Sequence, residues 1–142
     1  MTHEIDEDWQ AQTALYCQGI QPLLQSGRLL SVLVQFPPSF HRTRENRLYL
    51  ARLFDALKAL PLSVEFRHRS WAQDSVFKGL EERQITLVSV DAPPLSDLFP
   101  PLAVITNPDL FYLRLHGRNA QGWGSGSKQQ QFNYNYSKEE LQ

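Results

Sequence analysis

Short apolar runs rich in β-branched residues recur along this chain at intervals of roughly 25 to 30 residues, and stretches with helical spacing fill the gaps between the first three of them. That alternation is the strongest constraint on the fold. Parallel neighbours need a crossover long enough to hold a helix, so it points to βαβ units and away from hairpins. The first run, residues 29–36, is closed by Pro37-Pro38 and reads as a buried strand. Residues 62–67, 85–90 and 110–116 read as the second, third and fourth strands.

Between them, Leu48, Leu50, Ala51, Phe54, Leu57 and Leu60 form a stripe that predicts a helix over 47–60, ended by Pro61. Val76, Phe77 and Leu80 predict another over 74–83. Ahead of the first strand, a looser pattern through Trp9, Leu15, Ile20 and Leu24 predicts a helix over 8–25. Asp6 or Asp8 is available as its N-cap, Pro22 should kink or shorten it, and Gly27 should stop it. Residues 91–101 form a proline-rich crossover in which no helix is assigned. Residues 119–136, rich in Gly, Ser, Gln, Asn and Tyr, read as a mobile surface loop. Ser137 followed by Glu140 is a capping-box pattern that announces a further helix. A helix announced so late, together with parallel strands whose edges are uncovered, leads to the expectation of a single partial domain over 1–142, prone to self-association through its edges.

Fourteen basic residues against fifteen acidic ones give a formal net charge of -1, so no overall field recruits nucleic acid or an anionic membrane. Cys17 is the lone cysteine, which rules out an internal disulfide or a cysteine-based zinc cluster. It reads as a small apolar core residue. The acidic start lacks the features of a secretory signal, and no run approaches the ~18 apolar residues of a membrane span. A cytoplasmic protein with no membrane partner is expected.

In a strand, alternate residues share a face. Phe111, Leu113 and Leu115 should therefore meet helices, while Tyr112, Arg114 and His116 point to the opposite side. By the same rule Val64 and Phe66 face outward, Glu65 and Arg67 face inward, Asp91 ends the third strand and Gln35 ends the first. Each strand thus delivers a polar group at its carboxyl end, where parallel α/β folds build ligand sites. Unpaired buried charge is costly, so Glu65, Arg67, Asp91 and Arg114 must pair with one another or with a ligand. One outcome is a self-satisfied ion-pair network. The other is a polar pocket in which Arg67, Arg114 and Arg118 receive an anion, Glu65 or Asp91 acts as acid or base, and His116 shuttles a proton. His68 and Trp71, just past the second strand, are candidates to contact that ligand, Trp71 by stacking; a solvated basic turn and a packed tryptophan are the plainer readings. Trp123 could cover a ligand or lie loose on the surface. Glu65, Asp91 and His116 suit a metal chemically, but no metal-binding motif supports one, and neither His3 nor His41 has a partner at ligand spacing. No phosphate-loop or dinucleotide motif follows any strand, so no cofactor is identified.

In order, Leu33-Val34-Gln35-Phe36-Pro37-Pro38-Ser39-Phe40, Val64-Glu65-Phe66-Arg67-His68-Arg69-Ser70-Trp71, Val88-Ser89-Val90-Asp91-Ala92-Pro93 and Tyr112-Leu113-Arg114-Leu115-His116-Gly117-Arg118 resemble successive motifs of the YecE-like family, domain of unknown function 72. The closing 136–141 resembles that family's next helix start, and the opening Thr2-His3-Glu4 the point where its chain leaves a third strand. The resemblance implies a TIM-type (β/α)8 barrel, incomplete in this chain, to which it supplies about strands four to seven. It also implies that a site at the barrel mouth is composite. The family carries no established reaction. The first expectation is therefore an enzyme, or former enzyme, binding a small anionic or sugar-phosphate-like ligand. The second is a barrel that binds nucleic acid or processes phosphodiesters through His68, Arg69, Trp71 and Trp123. The third is a non-catalytic scaffold.

Overall fold

The computed structural model describes residues 9–124 and 128–141. The candidate cap residues Asp6 and Asp8, His3, and the opening Thr2-His3-Glu4 lie outside them. The elements run α1 (Trp9–Gln25), β1 (Val32–Gln35), α2 (Arg44–Ala56), β2 (Leu62–Glu65), a 3-10 turn (Arg69–Trp71), α3 (Asp74–Glu82), β3 (Thr86–Leu87), β4 (Ser89–Asp91), β5 (Leu113–Leu115), α4 (Ala120–Gly124) and α5 (Lys128–Gln131). Among the described residues the named strands pair in parallel: β1 with β2, β2 with β3, and β4 with β5. This is a mixed α/β fold built from βαβ units. Its described strands form two small sheets, with no closed barrel among them.

Only Val88 separates β3 from β4, and it marks a change of partner. Val88 N–H donates to Val64 O at 2.9 Å, whereas Ser89 N–H donates to Tyr112 O at 2.9 Å. Along β3 the far edge is occupied by a side chain: Thr106 Oγ1 accepts from Leu87 N at 2.8 Å and donates to Ile85 O at 2.7 Å. The third strand expected over 85–90 is therefore broken in two, because a threonine from the crossover takes the hydrogen bonds that β5 would otherwise make there. The proline-rich part of the crossover contains no helix, and an isolated antiparallel bridge between His68 and Leu98 ties it back to the end of β2.

Helix boundaries follow local chemistry. Pro22 lies inside α1, which runs on to Gln25. It ends in a Schellman motif, with Arg28 N–H bonded to Leu23 O and Gly27 N–H to Leu24 O, at Gly27 with φ 67°. Helix α2 starts before the expected position because Thr43 caps it, its side chain accepting from Asn46 N at 3.2 Å. It ends before the expected 60 because the backbone turns at Leu57 to enter β2, while Leu57 and Leu60 stay buried. The segment 119–136, expected as a loop, instead contains α4 and α5. Asn119 accounts for part of this: its Oδ1 accepts from Gly122 N at 3.0 Å and its Nδ2 donates to Gln130 O at 3.0 Å. A Cβ at Gly122 would collide with Gln130 O, so only glycine lets the two short helices meet this closely.

The core lies between the β1-β2-β3 sheet and helices α2 and α3. At the carboxyl ends of β1 and β2 it becomes an aromatic stack. Phe40 is parallel to Phe36 at 4.1 Å and to Trp71 at 5.2 Å, and Trp71 lies 4.6 Å from Phe66. By contrast Phe111, Leu113 and Leu115, expected to meet helices, are 61%, 49% and 45% exposed. Cys17 is free and partly buried against the core. Among the described residues no helix is long and apolar enough to cross a membrane.

Candidate functional site

Two carboxylates organise the carboxyl ends of the strands. Glu65 closes β2, opposite Gln35 at the end of β1 in the parallel register. Its side chain is 0% exposed. Arg67 lies two residues on, and extended backbone returns it to the same side. Arg114 and His116 come from β5 and the residue following it, again two apart. The result is a converged cluster: Glu65 Oε1 accepts from Arg67 Nε at 2.9 Å and from His116 Nε2 at 2.9 Å, while Oε2 accepts from Arg114 Nη1 at 2.5 Å. Arg114 Nη1 also donates to Gln35 Oε1 at 2.6 Å. Five of the residues singled out in the sequence, Gln35, Glu65, Arg67, Arg114 and His116, thus meet around one buried carboxylate.

Burial alone would push the Glu65 carboxyl up. The His116 hydrogen bond and the charges of Arg67, His116 and Arg114 outweigh it and hold the pKa at about 2. Glu65 is therefore ionised near neutral pH and offers acceptors only. It has no proton to give as a general acid, and in the neutral tautomer that donates to it His116 carries its proton on Nε2 and its basic lone pair on Nδ1. Arg67 spends only Nε on this network and Arg114 only Nη1. Among the described residues, both Nη groups of Arg67, and Nε and Nη2 of Arg114, form no hydrogen bond.

Asp91, at the end of β4, anchors the second cluster. Arg118 clasps it with Nε and Nη2 at 2.9–3.1 Å, and Tyr136 donates its hydroxyl to Oδ2 at 2.6 Å. Burial raises the Asp91 pKa, but the bonds from Arg118 and Tyr136 prevail and lower it. Burial, followed by the bond to Asp91, pushes the Tyr136 phenol up to about 12. The bond to Asp91 raises the Arg118 pKa. Arg118 Nη1 also reaches Glu140 Oε1 at 3.1 Å, which accepts from the Tyr134 hydroxyl at 2.6 Å. Glu140 Oε2 accepts from Ser137 N at 2.8 Å and Ser137 Oγ accepts from Glu140 N at 3.3 Å, so the capping box forms while its glutamate also serves the cluster. A backbone bond, His116 N to Asp91 O at 2.8 Å, joins the two clusters.

His68 and Trp71 are not brought to these clusters by any described contact. Trp71 is 2% exposed and donates from Nε1 to Phe40 O at 2.6 Å. As a core residue in the aromatic stack it has no free face on which a base or sugar could lie. His68 packs its ring on His41 at 3.9 Å and bonds Ser70 through Nδ1. Burial, and then the neighbouring His41, lowers its pKa.

Trp123 roofs the first cluster. Its ring stands edge-on to His116 at 6.4 Å, and the Arg67 guanidinium lies 5.9 Å above it. The space enclosed with Glu65, Arg67, Phe99 and His116 is about 10 Å³, at the lower limit for a single water. Tyr134, Tyr136 and Glu140 are site residues that the sequence pattern does not single out. The signal available was the capping box, which accounts for one Glu140 oxygen and leaves the other unassigned. No group of three or more His, Cys, Asp or Glu among the described residues could hold a metal ion.

The family model described as "Protein of unknown function DUF72" matches residues 1–142. The chain is 31% identical over 134 residues to UPF0759 protein YunF of Bacillus subtilis (strain 168), an alignment covering 87% of this chain and 48% of that protein. It is also similar to the crystal structure of a DUF72 family protein from Thermotoga maritima MSB8, at 37% identity and a TM-score of 0.85, covering 93% of this chain and 50% of that one. A DUF72 family protein from Enterococcus faecalis V583 superposes with a TM-score of 0.85 at 32% identity, covering 99% of this chain and 53% of the other. The chain spans about half the length of each of these relatives.

Proposed function

Because the chain belongs to the DUF72 family of proteins of unknown function, we propose from its own geometry that it contributes part of a cytoplasmic TIM-type (β/α)8 barrel, about strands four to seven, and binds a small anionic, sugar-phosphate-like ligand at the carboxyl ends of those strands. The observation that carries this reading is the Glu65 cluster. One buried, ionised carboxylate holds two arginines and leaves most of their donors unused at the strand ends. Guanidinium groups oriented in advance lose little further freedom on meeting a phosphate or carboxylate. Arg118 is neutralised by Asp91 and Glu140, so the anion-binding charge comes from Arg67 and Arg114, and His116 Nδ1 is the candidate proton acceptor. Trp123 covers the cluster and must shift for a ligand to enter.

Isothermal titration with ribose 5-phosphate, inorganic phosphate and unphosphorylated ribose tests this. The two phosphates should bind and ribose should not, and Arg114→Gln should weaken binding about tenfold, the worth of one charge-assisted hydrogen bond. No binding of either phosphate, both to this chain and to a full-length relative such as YunF, would remove the reading.

One observation favours a second reading, a non-catalytic scaffold: every carboxylate in the two clusters is already paired within the chain. On that reading His116→Asn lowers stability and changes no ligand affinity.

A further inference from the structure

Away from the strand ends, α2 and α3 run side by side and are bridged near both ends. Arg42 Nη2 donates to Ser75 Oγ at 3.2 Å near their N-termini, and Arg83 Nη1 to Asp55 Oδ1 at 2.6 Å near their C-termini. Between the bridges an open groove of about 180 Å³ remains. Its floor is apolar, formed by Leu50, Phe54, Trp71 and Leu80, and its charged lining residues are Arg42, Arg47 and Arg83, with no carboxylate among them. Arg83 is neutralised by Asp55; Arg42 and Arg47 form no ion pair among the described residues. Arg42 Nε is moreover buried with no hydrogen-bond partner. A guanidinium keeps its charge at any ordinary pH, so Arg42 and Arg47 leave the groove with unneutralised positive charge.

Gly79 adds an independent observation. It lines the groove from within α3, where glycine is the poorest helix former after proline. A Cβ built there meets nothing within 4 Å. No neighbour in this chain therefore requires glycine at that position, and its effect is to leave the groove open to close approach from outside.

We propose that this groove binds an amphiphilic anion: a compact aryl or alkyl group seated over Gly79 on Phe54 and Leu80, with a phosphate or carboxylate head received by Arg42 and Arg47. The apolar floor supplies area for the body, and the all-arginine lining selects the sign of the head. This site is separate from the strand-end clusters and does not depend on the reading given for them.

Phenyl phosphate is the probe, with inorganic phosphate as the head alone and phenol as the body alone, each titrated calorimetrically into the purified chain. Phenyl phosphate should bind at least tenfold more tightly than either part. Arg47→Gln should weaken it about tenfold, and Gly79→Leu, whose side chain enters open space, should abolish it with the thermal midpoint kept or raised. Arg28→Gln, an exposed position that lines neither the groove nor the strand-end clusters, should leave it unchanged. Repeating the titration with phenylacetate tells a preference for phosphate from one for carboxylate. Inorganic phosphate binding as tightly as phenyl phosphate in the component that Arg47→Gln removes, phenyl phosphate affinity unaltered in Gly79→Leu, or no saturable binding of phenyl phosphate or phenylacetate that Arg47→Gln weakens overturns the proposal.

Discussion

Glu65→Gln is the most informative perturbation of this molecule, because it removes one charge and keeps the shape of the side chain. The carboxylate is 0% exposed and Arg67 only 13%, so this pair belongs to the buried class, while Arg114 at 29% retains some solvation. Removing one partner of a buried pair costs about 3–5 kcal/mol, since it leaves the other charge uncompensated. An independent route agrees: a carboxyl brought from 4.5 to about 2 on folding contributes about 3 kcal/mol at about 1.4 kcal/mol per pKa unit. Because the folded-state pKa is the lower one, this stability is fully present above pH 4.5 and is lost as pH falls towards 2. The variant should therefore be about 3 kcal/mol less stable than the parent at pH 7, and the difference should shrink steadily between pH 4.5 and 2, where the parent's own carboxyl becomes neutral. Urea unfolding of both proteins across that pH series, followed by circular dichroism, measures it. A penalty under about 1 kcal/mol at pH 7, the value of a surface pair, or a difference that does not change with pH, would overturn this account of the cluster.

Trp71→Ala should cost about 3–5 kcal/mol in thermal or urea unfolding, because it empties the centre of the aromatic stack and removes the Nε1–H donated to Phe40 O. Asp91→Asn should bring the Tyr136 phenol down from about 12 towards its ordinary 10, read as an earlier rise of tyrosinate absorbance in a spectrophotometric titration against the parent. Gly122→Ala should separate α4 from α5, since the added methyl collides with Gln130 O; a changed Trp123 environment in NMR spectra, with the β2 amides undisturbed, is the expected signature. The open edges at β1 and β5, with Phe111 61% and Leu113 49% exposed beside the latter, should drive concentration-dependent self-association of this chain. Sedimentation equilibrium showing a monomer at all concentrations would contradict it.

The order of elements through the third strand, and the side of β2 and β5 on which charge lies, are legible in the amino-acid sequence. Both are local properties: alternation of apolar and polar residues needs no knowledge of neighbours, so the strand pattern alone groups Glu65 with Arg67 and Arg114 with His116. The Gly27 stop and the Ser137 capping box are equally local. What residue spacing could not supply is which pairs meet. That Glu65 receives Arg114 across 49 residues and Arg118 seeks Asp91 across 27 depends on parallel register and on crossovers whose geometry is set by packing. The same holds for Trp71: a tryptophan past a strand end is compatible with a ligand platform or a core stack, and the positions of Phe36, Phe40 and Phe66 decided for the core. Thr106 splitting the third strand, and Tyr136 completing the Asp91 cluster, are likewise tertiary outcomes. Each depends on a single hydrogen-bonding group carried to a distant strand by backbone that bears no periodic signal.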